Sequence, residues 1–359
     1  MATVRAISGA GSKGPACFLL ETDDARLLLD LGYGPQPGLW PDVSGVGRID
    51  AIVLSHGHND HAGGLRLAAG LGHPPVHGTA AVLATLKTDL PTRELPLQGI
   101  ASVCGVTLRT GRNGHAPGGV WLHADVGAGL LYTGDYSVES AIYDFDAPPP
   151  AATVVLDASY GTYDEPLEAC IANLERAVDA SAALLPVPVL GRGPDIAHYF
   201  ATAKDALPRI GEDLRSALRA MSGTPDTHSV RRAALAALRR IADDAPGLDA
   251  HDGVMLCGAA DGGGGESAAV LSRWPWADDR RVVFTGYLPP GTPAHDLTRS
   301  GRARYVRWNV HPRLRDNVSL VRATRARTVM PAFGERKHRD AWAQAFAPAR
   351  IAIEETIAL

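Results

Sequence analysis

Seven residues, Ser55-His56-Gly57-His58-Asn59-Asp60-His61, place three imidazoles and a carboxylate within six consecutive positions. They follow directly on the apolar run Ala51-Ile52-Val53-Leu54, which reads as a buried strand ending at a loop. Imidazole nitrogen and carboxylate oxygen are the donors that zinc takes in catalytic sites. On an extended segment His56 and His58 share one face, since side chains repeat every second residue. Asp60 and His61 begin the next turn and can serve a second metal. The alternative is an inconsequential cluster of surface histidines, which the density and strand-end position oppose.

More residues of the same chemistry follow predicted strands downstream. Asp30 ends the run Arg26 to Leu29, and His115 sits in the glycine-rich Asn113-Gly114-His115-Ala116-Pro117-Gly118-Gly119. Asp135 follows Leu130 to Gly134, and Asp157 follows Val154-Val155-Leu156. A single aspartate after a strand is ordinarily a turn former or helix cap. Asp30, His115, Asp135 and Asp157, taken with the histidine cluster, point instead to one metal site.

The elements that would position these residues are legible as pattern. Cys17 to Thr22 and Arg26 to Asp30 are apolar runs separated by Asp23-Asp24-Ala25, which is hairpin chemistry. Val106 to Arg109, Val120 to Asp125 and Gly129 to Thr133 read as strands with glycine-rich turns, and Ala62 to Leu71 as a short helix. The middle of the chain alternates helices (Leu167 to Ala183, from about Pro194, Arg231 to Asp243) with buried strands (Ala183 to Leu190, Val254 to Cys257, Arg281 to Phe284). Such alternation suggests a parallel, doubly wound sheet. Strand–loop–strand patterning returns from Arg304, and the chain closes with the apolar segment Ile351 to Leu359.

At 359 residues the chain is long enough for two cored domains. Its 45% apolar and 21% charged content is ordinary for a globular protein. No run of ~20 apolar residues exists, so no membrane span is expected. Met1 to Gly11 lacks a secretory pattern. Cys17, Cys104, Cys170 and Cys257 are widely spaced and read as reduced residues in a cytoplasmic protein. The net charge is −4, yet the window Arg299 to Arg327 holds nine arginines against one acid, Asp316. That window is either a footprint for a polyanion or a set of scattered ion pairs. Gly262 to Gly265, before a helix at Glu266, is either an anion-binding nest or a flexible loop. Arg192 is either a phosphate contact or an ordinary ion-pair partner.

The segments Leu29-Asp30-Leu31-Gly32, Ser55 to His61, Gly114-His115 and Tyr132-Thr133-Gly134-Asp135 resemble the metallo-β-lactamase fold. Asp157-Ala158-Ser159-Tyr160-Gly161, Leu185 to Arg192 and Thr285-Gly286-Tyr287-Leu288-Pro289-Pro290-Gly291-Thr292 resemble its β-CASP branch, which holds ribonuclease J and the 3′-end-processing endonucleases. The resemblance runs from about residue 7 to about 345. It implies an α/β, αββα sandwich over residues 1–165, an inserted β-CASP-like α/β domain over 166–303, and completion of the sandwich over 304–359. It implies two zinc ions, the first on His56, His58 and His115, the second on Asp60 and His61, with Asp135 bridging. Asp30 would orient a ligand imidazole. Asp60, Asp157 and His311 would be catalytic, Asp157 beside the scissile phosphate and His311 as leaving-group acid.

The implied activity is zinc-dependent hydrolysis of RNA or single-stranded DNA by metal-bound hydroxide, with the middle domain as a lid; a homo-oligomer is allowed for. The alternatives are a hydrolase of small esters, lactones or thioesters, and a degenerate, non-catalytic subunit. One departure stands out. The family pattern ends in a histidine followed by Gly-Glu, whereas this chain has Phe333-Gly334-Glu335. The expectation is a weakened second zinc site, or one completed by water or by His338, the latter otherwise a solvated residue on the final helix.

Overall fold

The computed structural model describes residues 2–179, 182–277, 279–353 and 356–359. They form two compact units. The first comprises residues 2–138, 144–164 and 311–359, and the second residues 139–143 and 165–310.

The first unit is built on two seven-stranded sheets. In the first sheet Ile357–Ala358, Thr3–Ser8, Cys17–Glu21 and Arg26–Leu29 pair antiparallel, and Ala51–Val53, Val76–Gly78 and Thr92–Glu94 continue it in parallel. The second sheet runs Arg350–Ile351, Thr328–Ala332, Thr153–Asp157, Leu130–Tyr132, Val120–Ala124, Val106–Arg112 and Gly99–Val103. The period of two explains the layering. Phe18, Leu20, Leu27 and Leu29 enter the core between the sheets with Leu108, Leu122, Leu130, Tyr132 and Met330. Their neighbours Cys17, Leu19 and Leu28 face the other way, onto Leu65, Ala68, Leu71 and Val82 of the helical segments Leu65–Leu71 and Ala80–Thr85. The outer face of the second sheet is covered by Leu320, Val321 and Trp342 of the helices Leu314–Thr324 and Arg339–Ala345. Helix, sheet, sheet, helix is thus the layer order, and each fully buried Leu or Phe contributes about 1.5–3 kcal/mol of apolar transfer.

The second unit holds a five-stranded, all-parallel sheet in the order Arg209–Ile210, Gly253–Cys257, Ala182–Pro186, Arg280–Phe284, Arg304–Tyr305. Three details differ from the sequence reading. The strand read as Ala183 to Leu190 stops at Pro186, two residues before Pro188, which has no N–H to donate to a ladder. Helix Glu212–Gly223 was not read from the sequence, although Leu214, Leu218 and Met221 are buried at helical spacing. The return to the first unit, expected at residue 304, lies at 311, since Arg304–Tyr305 pairs with Val283 and Phe284 as an edge strand.

The arginine-rich window divides between the units. In the first, Arg313 pairs with Asp316 and Arg315 with Asp164, both at 2.8 Å, while Arg322, Arg325 and Arg327 are exposed. In the second, Arg302 lies over the ring of Trp276 at 4.1 Å. Arg192 begins helix Arg192–Ala203 and lies against Gly286. The glycine run ends at a one-sided contact of another kind. Glu266 turns its carboxylate onto the backbone N–H of Glu212, 2.6 Å away, so an acid occupies that helix start. No helix among the described residues is long and apolar enough to cross a membrane.

Candidate metal centre

Strand register gathers the polar residues. Leu29 pairs with Val53, Tyr132 with Val155, and Asp157 with Ala332, all in parallel ladders. Parallel strands so aligned release their chains at one edge, and that edge is where open α/β sheets hold ligands. Asp30, the His56–His61 loop, Asp135, Asp157 and Phe333 all lie at or just beyond these strand ends. Close approach is needed to fit them. A Cβ on Gly134, whose φ is +52°, would sit 2.6 Å from Ser55 Oγ, and one on Gly32 would sit 1.8 Å from the carbonyl oxygen of Asp60.

Three imidazoles converge. His56 Nε2 and His115 Nε2 each lie 3.1 Å from His58 Nδ1. Asp135 Oδ2 stands 3.9 Å from His56 Nε2 and 3.6 Å from His115 Nε2. These four residues can direct one donor atom each at a single point, all within 4.8 Å of one another. Asp60, His61 and Asp135 form a second such group, and Asp135, Asp157 and His311 a third. The structure therefore brings together His56, His58, Asp60, His61, His115, Asp135, Asp157 and His311, in three groups that share Asp135.

The chemistry of the set fits a cation. Asp135 is 2% exposed, and its Oδ1 has no hydrogen-bond donor in good geometry, with His61 Nε2 standing 3.4 Å away. Buried carboxylate oxygens without donors are rare and call for a partner. Burial, reinforced by His61 and His58, holds His56 well below the usual imidazole range, which keeps a lone pair available. Burial also opposes charge on His61, but Asp135 and Asp30 outweigh it and raise that imidazole well above its usual range. Burial pushes Asp135 up, and His61, His311 and His115 reverse the direction, so the carboxyl stays ionised far below its ordinary value.

An outer network fixes the candidate ligands. Asp30, fully buried and at φ +60°, accepts from the backbone N–H and the hydroxyl of Ser55, each at 2.7 Å. It also accepts from the Tyr132 hydroxyl at 2.5 Å and meets His61 Nδ1 at 2.7 Å. The Ser55 hydroxyl is committed to Asp30, so its oxygen, 3.0 Å from His56 Nδ1, acts as an acceptor there. In both rings Nδ1 is held by this network and Nε2 faces the site. Sequence reading assigned Asp30 an orienting role, but it gave Ser55 and Tyr132 none. Tyr132 lies 102 residues from Asp30, and only the sheet register joins them. Asp30→Ala is expected to lower metal affinity about 10–100-fold, as loss of such partners does; isothermal titration with zinc checks it.

His338 does not join the ligand groups among the described residues. It ends a short turn, Arg336–His338, with its ring 5.7 Å from Trp342 and its Nε2 over Gly161. The position that lacks the expected histidine is filled by the Phe333 ring, centred 5.0 Å from the His61 ring.

Residues 11–186 match the family model described as the metallo-beta-lactamase superfamily. The chain is 25% identical over 262 residues to transcription termination factor FttA of Cenarchaeum symbiosum, covering 57% of this chain and 40% of that protein. It is 26% identical over 219 residues to a ribonuclease of Thermus thermophilus, covering 52% of this chain and 48% of that one. The chain thus spans less than half the length of these relatives. A crystal structure of a protein of unknown function from Enterococcus faecalis V583 superposes over the whole of both chains with a TM-score of 0.62 at 14% identity, a likeness of fold. With the strand-end cluster of histidines and aspartates, these matches identify residues 11–186 as a metallo-β-lactamase superfamily domain, and the relatives include termination factors and a ribonuclease.

Proposed function

We propose that the protein is a zinc-dependent phosphodiesterase acting on RNA or single-stranded DNA. The observation that carries this reading is the pair His311–Asp157 beside the ligand cluster. His311 Nδ1 lies 2.9 Å from Asp157 Oδ2 and 3.7 Å from Asp135 Oδ2, and its side chain is 13% exposed. A backbone phosphodiester leaves as a poor alkoxide and needs a positioned acid. An activated ester or thioester needs none, so a dedicated carboxylate–imidazole pair favours the phosphodiester.

Three imidazoles with a carboxylate suit zinc, and the Asp60–His61–Asp135 group provides for a second ion. When bound, such ions supply Lewis-acid polarisation of a phosphoryl oxygen and an acidified water. The chain's own residues do the rest. Asp157 is locked, since its Oδ1 accepts from the Ser159 N–H at 3.0 Å and its Oδ2 from the Tyr136 N–H at 3.2 Å. It holds the His311 Nδ1 proton and leaves Nε2 to carry the proton delivered to the leaving oxygen. Tyr160 limits ring rotation, edge-on to His311 at 5.1 Å. The names of the relatives, a ribonuclease and transcription termination factors, support a nucleic-acid substrate.

The test is incubation of the purified protein with 5′-labelled single-stranded RNA and its DNA analogue, with and without chelator, beside a panel of small esters, lactones and thioesters. Chelator-sensitive cleavage of a nucleic-acid strand is expected. Turnover of the small esters alone would reassign the substrate class.

A further inference from the structure

Of the three candidate ligand groups that share Asp135, the two without His311 are unequal, and the inequality has a visible cause. The first offers four donors, three of them imidazole nitrogens. The second offers Asp60, His61 and a share of Asp135, which is one nitrogen and two carboxylate oxygens. Nitrogen-rich sets favour zinc, whereas carboxylate and water favour manganese and magnesium.

Phe333 lies against the second group, its ring centred 5.0 Å from the His61 ring. It is 2% exposed, with its ring at 63° to the His61 ring and 6.0 Å from that of Phe18 at 82°. Its backbone has φ +61°, a region that bulky residues seldom adopt. The conformation is held by the segment Gly9-Ala10. The Phe333 N–H donates to the Gly9 carbonyl at 2.6 Å, and Ala10 forms a bridge to Ala332. Gly9, at φ +89°, lies so close that a Cβ there would sit 3.2 Å from the Phe333 ring. The backbone is thus shaped to present residue 333 to the second group, and the side chain presented has no donor atom. His338 is turned onto Trp342 and supplies none in its place.

We propose that the protein holds one zinc tightly, on His56, His58, His115 and Asp135, while the Asp60–His61 side is a weak, exchangeable position for a harder ion such as Mn²⁺ because Phe333 occupies the direction of a further protein ligand. This deepens the metal-centre reading and is independent of the substrate.

Metal content measured by mass spectrometry after dialysis tests it without any assay of activity. The wild-type chain is expected to retain one zinc, with Mn²⁺ titration giving a second, weaker binding event. His61→Ala should keep the single zinc and lose the Mn²⁺ event. Phe333→His should retain two zinc ions. Two zinc ions surviving dialysis in the wild type would overturn the proposal, as would a folded Phe333→His protein, verified by its thermal melt, that still holds one. Should Phe333→His not fold, the wild-type and His61→Ala counts decide alone. No retained zinc at all would instead refute the metal centre, and a single zinc with no strand cleavage would refute only the nuclease reading.

Discussion

Replacing His311 by alanine is expected to lower kcat on a single-stranded oligonucleotide about 10²–10⁴-fold, the usual worth of a positioned acid. The same variant should hydrolyse bis(p-nitrophenyl) phosphate at close to the wild-type rate. The two substrates differ in one respect that matters. A sugar alkoxide must be protonated as it departs, whereas nitrophenolate is stable without a proton. A residue that merely shaped the site would depress both rates together. Asp157→Asn should follow the same split more weakly, because it leaves His311 in place but removes the charge 2.9 Å from Nδ1. Steady-state kinetics on both substrates, with zinc content measured in parallel, checks the prediction. Equal losses on both would show that His311 is not the proton donor.

The second large effect is expected from His58→Ala. His58 Nδ1 is the atom that both other imidazoles of the first group approach, at 3.1 Å each. Its removal leaves His56, His115 and Asp135, with a gap at the centre of the set. All chelator-sensitive activity should disappear, and with it the thermal stabilisation that bound ion confers. An ion present at about a thousand times its Kd contributes ~4 kcal/mol to the folded state. Adding EDTA to the wild type should therefore lower Tm markedly, while adding it to His58→Ala should change little. A variant whose Tm still falls with EDTA would place the tight ion elsewhere. The half-buried position of His58 at the start of the helix Asn59–Ala62 makes alanine tolerable there, so the loss should be of metal and not of fold.

Much of this centre is legible before folding is considered. Donor chemistry is a property of residue type, and the spacing of His56, His58, Asp60 and His61 is local. So is the habit of a carboxylate following an apolar run, which singles out Asp30, Asp135 and Asp157. The β-hairpin at residues 17–29 and the helix–strand alternation of the middle region also depend on short-range periodicity, and both are present in the fold.

What required the tertiary structure are relations across long stretches of chain. The Tyr132 hydroxyl on Asp30 spans 102 residues, and His311 on Asp157 spans 154. The sequence shows that residue 333 is phenylalanine; that its ring rests on His61, held by Gly9 from the other end of the chain, follows from the bridge between Ala10 and Ala332. The closing strand Ile357–Ala358 likewise finds its place against Thr3 and Val4 only through pairing. The physical reason is common to all of these. Pattern reports which face a side chain takes along its own element, but the distance between two elements is set by register, and register is settled by the whole buried core at once.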